Sequence, residues 1–400
     1  MSLSRLETAQ VQDKRVLVRI DLETATDSGG NLVDDLVLKQ CQPTIELLIN
    51  RGAAVVVAGH GPFSSFEDLK KNPQGASSYQ AFARRLGELL DRNVDYVGDP
   101  FGPEGTTRIR SLTSGEIVFT GNLFQYAGEI KKDKSFAQNL ASLFDILVND
   151  SLAASRLPLA SLGLLPALLP TFGGMSINRE LDILKSLVAP ANRPLVFIMG
   201  GVRLAPRIQL MNKLMEKLDT VLIGGGIAYT FLNSRAVPVG NSLREKELEV
   251  PAFQCMEKAD LSETEFVLPV DHVIADQFSK NARTKTVAHG GIIDQWMALD
   301  IGPKTISRME KTIKKAHTVL WYGPLGAIEM DKFGRGSQAI ARAMAKSKGR
   351  SIVLGSDTTR FVNQEGLAES FDLVSTCSSA ALDILSGKTL PGLSGGTEDS

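Results

Sequence analysis

The residues best placed to do chemistry sit in short turns. The stretch Trp321-Tyr322-Gly323-Pro324-Leu325-Gly326-Ala327-Ile328-Glu329 carries two glycines three apart and a proline. That composition lets the backbone bend sharply beneath a flat ligand, and the acid three residues past the second glycine can accept hydrogen bonds from a ribose. Four further turns have a related make-up: Gly200-Gly201, Gly224 to Gly226, Leu299-Asp300-Ile301-Gly302-Pro303, and Gly355-Ser356-Asp357-Thr358. Asp357, with the hydroxyl of Thr358 beside it, can hold a magnesium ion against phosphate oxygens; the same aspartate at a strand end also reads as a helix N-cap. No G-x-x-x-x-G-K-[ST] motif is present, which excludes a P-loop.

Turns of this kind need strands and helices to aim them. Val16 to Ile20, Ala53 to Ala58, Glu116 to Phe119 and Ile146 to Asn149 are apolar runs of strand length. Helical spacing occupies Asp35 to Asn50, Tyr79 to Leu90 and Ser135 to Leu143 between them. The alternation restarts with Leu195 to Met199, a helix from Pro206 to Leu218, and Val221 to Ile223. Phe266 to Leu268, Val319-Leu320, a helix from Gly336 to Lys346, and Ile352 to Leu354 continue it. Strands alternating with helices predict parallel sheets covered on both faces. The expected class is therefore α/β, with two doubly wound, Rossmann-like domains. We expect an N-terminal domain over 1–175, a connecting helix over 176–189, a C-terminal domain over 190–385 and a tail over 386–400. In open parallel sheets ligands sit at the C-terminal strand ends, where the five turns fall.

Composition excludes several classes. With 400 residues, 43% apolar and 22% charged, the chain is an ordinary globular sequence. A net charge of -1 gives no pull toward nucleic acid or an acidic membrane. Cys41, Cys255 and Cys377 form no C-x-x-C pair, so neither a disulfide framework nor a zinc site is expected. Met1 to Lys14 lacks the apolar block of a signal peptide, and Leu157 to Phe172 is interrupted by Pro158, Pro166 and Pro170. A cytoplasmic protein is the expectation.

From about residue 14 to 392 the chain resembles phosphoglycerate kinases. The matching segments are Lys14-Arg-Val-Leu-Val-Arg-Ile-Asp21, Val148-Asn-Asp150, Gly200-Gly201, Ile223-Gly-Gly-Gly226, Leu268-Pro-Val-Asp271, Leu299-Asp-Ile-Gly-Pro-Lys-Thr305, Trp321 with Gly323-Pro324, and Leu390-Pro-Gly392. The resemblance implies a hinge-bending, usually monomeric enzyme. Its N-terminal domain would bind 3-phosphoglycerate and its C-terminal domain magnesium ATP or ADP, with phosphoryl transfer resting on positioning and positive charge. It further implies nucleotide contacts from Gly200, Gly201, Arg203, Arg207, Gly225, Gly226, Leu299, Gly323, Pro324, Glu329, Gly355, Asp357 and Thr358, with Asp357 on the metal. Arg203 and Arg207 stand where the family has catalytic lysines; outside that context they read as solvated charge.

The acceptor half departs from the family pattern. Four arginines and one histidine are replaced by Val37, Phe63, Phe124, Leu157 and Leu159. Asp21, His60 and Arg156 remain as acceptor-site candidates. Each lost charge-assisted bond is worth about 1.5–3 kcal/mol. An altered acceptor site is therefore expected: either a nucleotide-binding paralogue without catalysis, or a kinase for a less charged carboxylic acid. In the nucleotide half, Tyr322 replaces an asparagine and Cys377-Ser378-Ser379 replaces three glycines.

Overall fold

A computed structural model describes residues 3–22, 32, 34–61, 76–187 and 192–394. The chain forms two compact units, one of Met1–Asp182 with Gly387–Ser400, the other of Ile183–Ser386.

In the first unit the described strands are β1 (Ser4–Arg5), β2 (Arg15–Asp21), β3 (Ala54–His60), β4 (Asp95–Tyr96), β5 (Ile117–Asn122), β6 (Ile146–Asn149) and β7 (Thr171–Gly173). They form one parallel sheet in the order β1-β7-β6-β2-β3-β5-β4. The central strands are apolar at successive positions because helices cover both faces. Val16, Val18, Ile20, Val55 and Val57 face helices Leu36–Asn50 and Ala76–Leu90, meeting Leu38, Ile45, Phe82 and Leu86. Leu17, Val56, Ala58 and Val118 face the other way, onto Ile109, Leu140, Leu143 and Leu165. The two-residue period then carries Arg19 and His60 onto this second face at the strand ends.

The helix Met175–Leu187 contains the point of division between the units. Its start is fixed within the first unit, where Thr44 Oγ1 accepts from Met175 N at 2.8 Å and Asp150 Oδ1 from Ile177 N at 2.9 Å. The C-terminal segment lies in the first unit too: Asn149 Nδ2 donates to the Gly392 carbonyl at 3.0 Å.

The second unit is built on β8 (Leu195–Met199), β9 (Thr220–Ile223), β10 (Glu265–Val267), β14 (Thr318–Tyr322), β15 (Arg350–Leu354) and β16 (Leu373–Ser375). These strands pair in parallel as β10-β9-β8-β14-β15-β16. A second, antiparallel sheet β12-β11-β13 joins β11 (Asp271–Ala275), β12 (Thr284–Ala288) and β13 (Met297–Ile301). The sequence reading missed this sheet. It placed Leu299 and Asp300 in a turn closing a parallel strand, whereas both lie inside β13. The cause is composition: β12 is Thr-Lys-Thr-Val-Ala, largely exposed and without an apolar period. The helix expected to run to Leu218 ends at Leu214 and tightens into a 3₁₀ turn, Met215–Lys217.

No helix among the described residues is long and apolar enough to cross a membrane. Cys41, Cys255 and Cys377 are free and buried.

Candidate functional site

The order of the second sheet reverses between β8 and β14: from β8 the chain steps to β9 and β10 on one side, then crosses to β14, β15 and β16 on the other. Open α/β sheets bind ligands at such a switch point. Two of the glycine turns meet there. Gly200 N donates to the Tyr322 carbonyl at 2.9 Å and Gly201 N to the Pro324 carbonyl at 2.7 Å. Gly225 N donates to the Leu325 carbonyl at 3.0 Å, bringing in the turn after β9.

These glycines let backbone lie on backbone. A Cβ on Gly323 (φ +91°) would sit 2.5 Å from the Gly200 carbonyl oxygen, and one on Gly200 would sit 2.1 Å from that of Pro324. Only glycine fits such contacts. A cleft of about 1210 Å³ opens above them. Gly201, Arg203, Arg207, Gly225, Gly226, Leu299, Gly323, Pro324, Glu329, Gly355, Asp357 and Thr358 all line it. Gly200 does not; it is spent on the turn beneath. Ser379, from the segment that replaces three glycines, lines the cleft as well; so do Tyr229 and Phe278, which were not singled out in sequence, since nothing local distinguishes them.

The two arginines have opposite fates. Arg203 is exposed, as the surface reading expected, but Arg207 is only 8% exposed. Its Nη1 donates to the Arg203 carbonyl, and its Nε is buried without a hydrogen-bond partner. Burial lowers its pKa, opposed by Tyr322, Glu245 and Asp357. A buried guanidinium with an idle N–H that lines a cleft suits an anionic ligand.

Asp357 is exposed in the first turn of helix Ser356–Gln364. It is not the N-cap: Gly355 holds that position, at φ +97°, with no side-chain cap. Thr358 is buried, and its Oγ1 accepts from Gly323 N at 2.9 Å, so it ties two strand ends together. No group of three or more His, Cys, Asp or Glu able to hold a metal occurs among the described residues. Magnesium needs no such cage. It keeps most of its waters and takes one or two carboxylates plus phosphate oxygens. Asp357 on the cleft wall fits that role, and Glu329, exposed at the other turn, fits a ribose.

The first sheet has its own switch point between β2 and β6. Arg19 is fully buried there. Its Nη2 lies 2.6 Å from the His60 ring nitrogens, and its Nε donates to Ser161 Oγ at 3.1 Å. Glu129, also fully buried, accepts from Ser161 Oγ at 2.5 Å and Ser161 N at 2.9 Å, and its Oε1 lies 3.1 Å from His60 Nε2. Burial and the nearby Arg19 push His60 down to about 4, against the pull of Glu129. The imidazole is therefore neutral at pH 7; Nε2–H can donate to Glu129 while Nδ1 accepts from Arg19. Burial would raise the Glu129 pKa, but its bond to His60 and the nearby charges hold it below the usual range. Arg19, pushed down to about 10 by burial, stays charged.

Apolar groups cover this network. Phe124 lies against His60 with ring centroids 4.2 Å apart, and it clusters with Ala154, Leu159 and Leu162. Val37 belongs to the core on the other face, and Leu157 is partly exposed at 37%. Asp21 accepts from Ser151 Oγ. Arg156 is exposed on a short 3₁₀ turn and does not share the burial of His60. Phe63 lies outside the described residues. Glu129 and Ser161 were missed in sequence because a lone acid and a lone serine carry no signal before folding buries them.

A family model for phosphoglycerate kinase matches residues 6–388. A phosphoglycerate kinase from Leptospira biflexa serovar Patoc is 40% identical over 393 residues, covering 98% of both chains. One from Pelobacter propionicus is 37% identical over 388 residues, covering 97% of this chain and 96% of its own. The solved structure of phosphoglycerate kinase from Coxiella burnetii aligns with a TM-score of 0.83 at 28% identity, covering 98% of each chain. Sequence and fold agree over nearly the whole length: the chain belongs to the phosphoglycerate kinase family.

Proposed function

We propose that the cleft of the second unit binds a magnesium–adenine nucleotide and that the first unit does not receive 3-phosphoglycerate in the family's manner. The protein is then a nucleotide-binding family member with altered acceptor chemistry. One observation carries this reading: the buried cation Arg19 is balanced by Glu129, and its partner His60 is covered by Phe124 of an apolar cluster. A phosphate dianion needs several accessible cations. Neutral His60 adds none, and Phe124 and Leu159 stand where the family has an arginine and a histidine.

In the nucleotide half, Gly201, Gly225, Gly226 and Gly323 leave the backbone bare beneath the ligand, with Leu299 and Pro324 against the base and Glu329 on the ribose. Arg203 and Arg207 supply positive charge to the phosphates, and Asp357 holds the magnesium, which would neutralise charge on the transferring group. We further propose a cytoplasmic monomer.

Calorimetry with magnesium ADP, paired with a coupled assay on ATP and 3-phosphoglycerate, tests this. The expected result is micromolar ADP binding, weakened by Asp357→Asn. Turnover should lie at least about a thousandfold below an ordinary family member, as loss of four arginine contacts implies. Ordinary turnover would refute the altered acceptor site. Absence of ADP binding would refute the nucleotide reading. The apolar cluster around Phe124 favours a second reading, a kinase for a less charged carboxylic acid. ADP release across a panel of such acids would establish it.

A further inference from the structure

We propose that the Tyr322 ring is a positioning group for the Arg207 guanidinium, and that through this stack it sets how strongly the cleft holds a phosphorylated ligand. The inference rests on the nucleotide reading above and extends it to a residue that reading leaves unused.

Four groups are layered across three strand ends. The Arg207 Cζ lies 4.6 Å from the centroid of the Tyr322 ring, within the range of a cation–π contact. On the side of Gly201 (φ +81°), an added Cβ would lie 2.5 Å from Arg207 Nη2. Beside the ring, a Cβ on Gly355 (φ +97°) would lie 2.9 Å from Tyr322 Cε2 and 3.0 Å from Cδ2. Gly201, Arg207, Tyr322 and Gly355 are therefore in consecutive close contact, with bare backbone beside the guanidinium and beside the ring, and all four line the cleft.

Within this stack the guanidinium has one hydrogen bond of its own, to the Arg203 carbonyl, while its Nε is buried and idle. No carboxylate of the described residues lies within ion-pair distance. The ring thus fixes the plane of a cation whose hydrogen-bonding capacity is unspent, and it leaves that capacity for an anion's oxygens. Because the face of the ring does this work, the hydroxyl is dispensable.

The test compares Tyr322→Phe with Tyr322→Leu in the full chain. For magnesium ADP, Phe should keep affinity within twofold of the parent and Leu should lose about tenfold. Adenosine, which has no phosphate, should bind both variants alike. Equal loss in Phe and Leu, equal loss for adenosine and ADP, or undiminished ADP affinity in Leu would each overturn the proposal. A second arm needs no nucleotide: the rate at which a dicarbonyl reagent modifies Arg207, read by peptide mass spectrometry. Leu should speed modification and Phe should not; unchanged rates in Leu would refute the stack. If the parent binds no ADP yet Leu unmasks Arg207, the positioning role stands and the nucleotide reading alone falls.

Discussion

Glu129 and His60 meet at 3.1 Å in the interior of the first unit, although sixty-nine positions separate them in the chain. With Arg19 and Ser161 they form a neutralised polar island at a place where a sheet of this kind normally offers a ligand site.

Glu129→Gln keeps the shape of the carboxylate and removes its charge, leaving buried Arg19 without its ion-pair partner. Breaking a buried pair in this way costs about 3–5 kcal/mol. Denaturation followed by circular dichroism should show the loss. Fluorescence should show less of it, because both tryptophans, Trp296 and Trp321, lie in the second unit. A transition unchanged in circular dichroism would mean the island contributes no net stability.

His60 makes that island acid-sensitive. Its folded pKa, about 4, lies below the unfolded value near 6.5, so between these values the native state binds fewer protons than the unfolded chain. The stability this group contributes is full above pH 6.5 and is lost as pH falls to 4, up to about 3 kcal/mol. Asp150 and Asp300, pushed up by burial to about 6 and about 7, act in the opposite sense. The difference between the parent and His60→Gln isolates the histidine. The variant should lose less stability from pH 6.5 to 4, and parallel pH profiles would contradict the assignment.

Asp271 explains why Leu268-Pro-Val-Asp271 and Gly302-Pro-Lys-Thr305 occur together. Its carboxylate accepts from Lys304 N at 2.9 Å, Thr305 N at 2.8 Å and Thr305 Oγ1 at 2.7 Å, so a strand of the antiparallel sheet caps helix Pro303–Lys315. Asp271→Ala should cost roughly 2 kcal/mol, with Asp271→Asn losing about half as much. Tryptophan fluorescence during urea denaturation measures this; an Ala variant as stable as the parent would show the cap to be idle.

Gly323→Ala tests the interlocked turns. The residue has φ +91°, and its Cβ would meet the Gly200 carbonyl oxygen at 2.5 Å, backbone that cannot move aside cheaply. Gly115→Ala is the control, with φ +87° and nothing within 4 Å. The control should lose about 1 kcal/mol from backbone strain alone, and Gly323→Ala at least about 2 kcal/mol more. Equal losses would show that the turns are not held by backbone contact.

Sequence by itself determined the class of fold, the place of the central strands of both parallel sheets and most of the turns that face the cleft. It could do so because those features are local: apolar runs are written by two-sided burial of parallel strands, and sharp turns by glycine. It also showed where the first unit carries Val37, Phe124, Leu157 and Leu159 in place of cationic side chains of the family pattern, since an absent arginine needs no structure to notice. Tertiary structure alone decided the order of the strands, which sets Gly200-Gly201 beside Gly323-Pro324 at the switch point. It decided that Arg207 is buried while Arg203, four residues earlier, is exposed, and it turned Glu129 from an unremarked acid into the counter-charge of Arg19. Each of those outcomes depends on a partner far away in the chain, and burial changes what a charge does only after the partner has arrived.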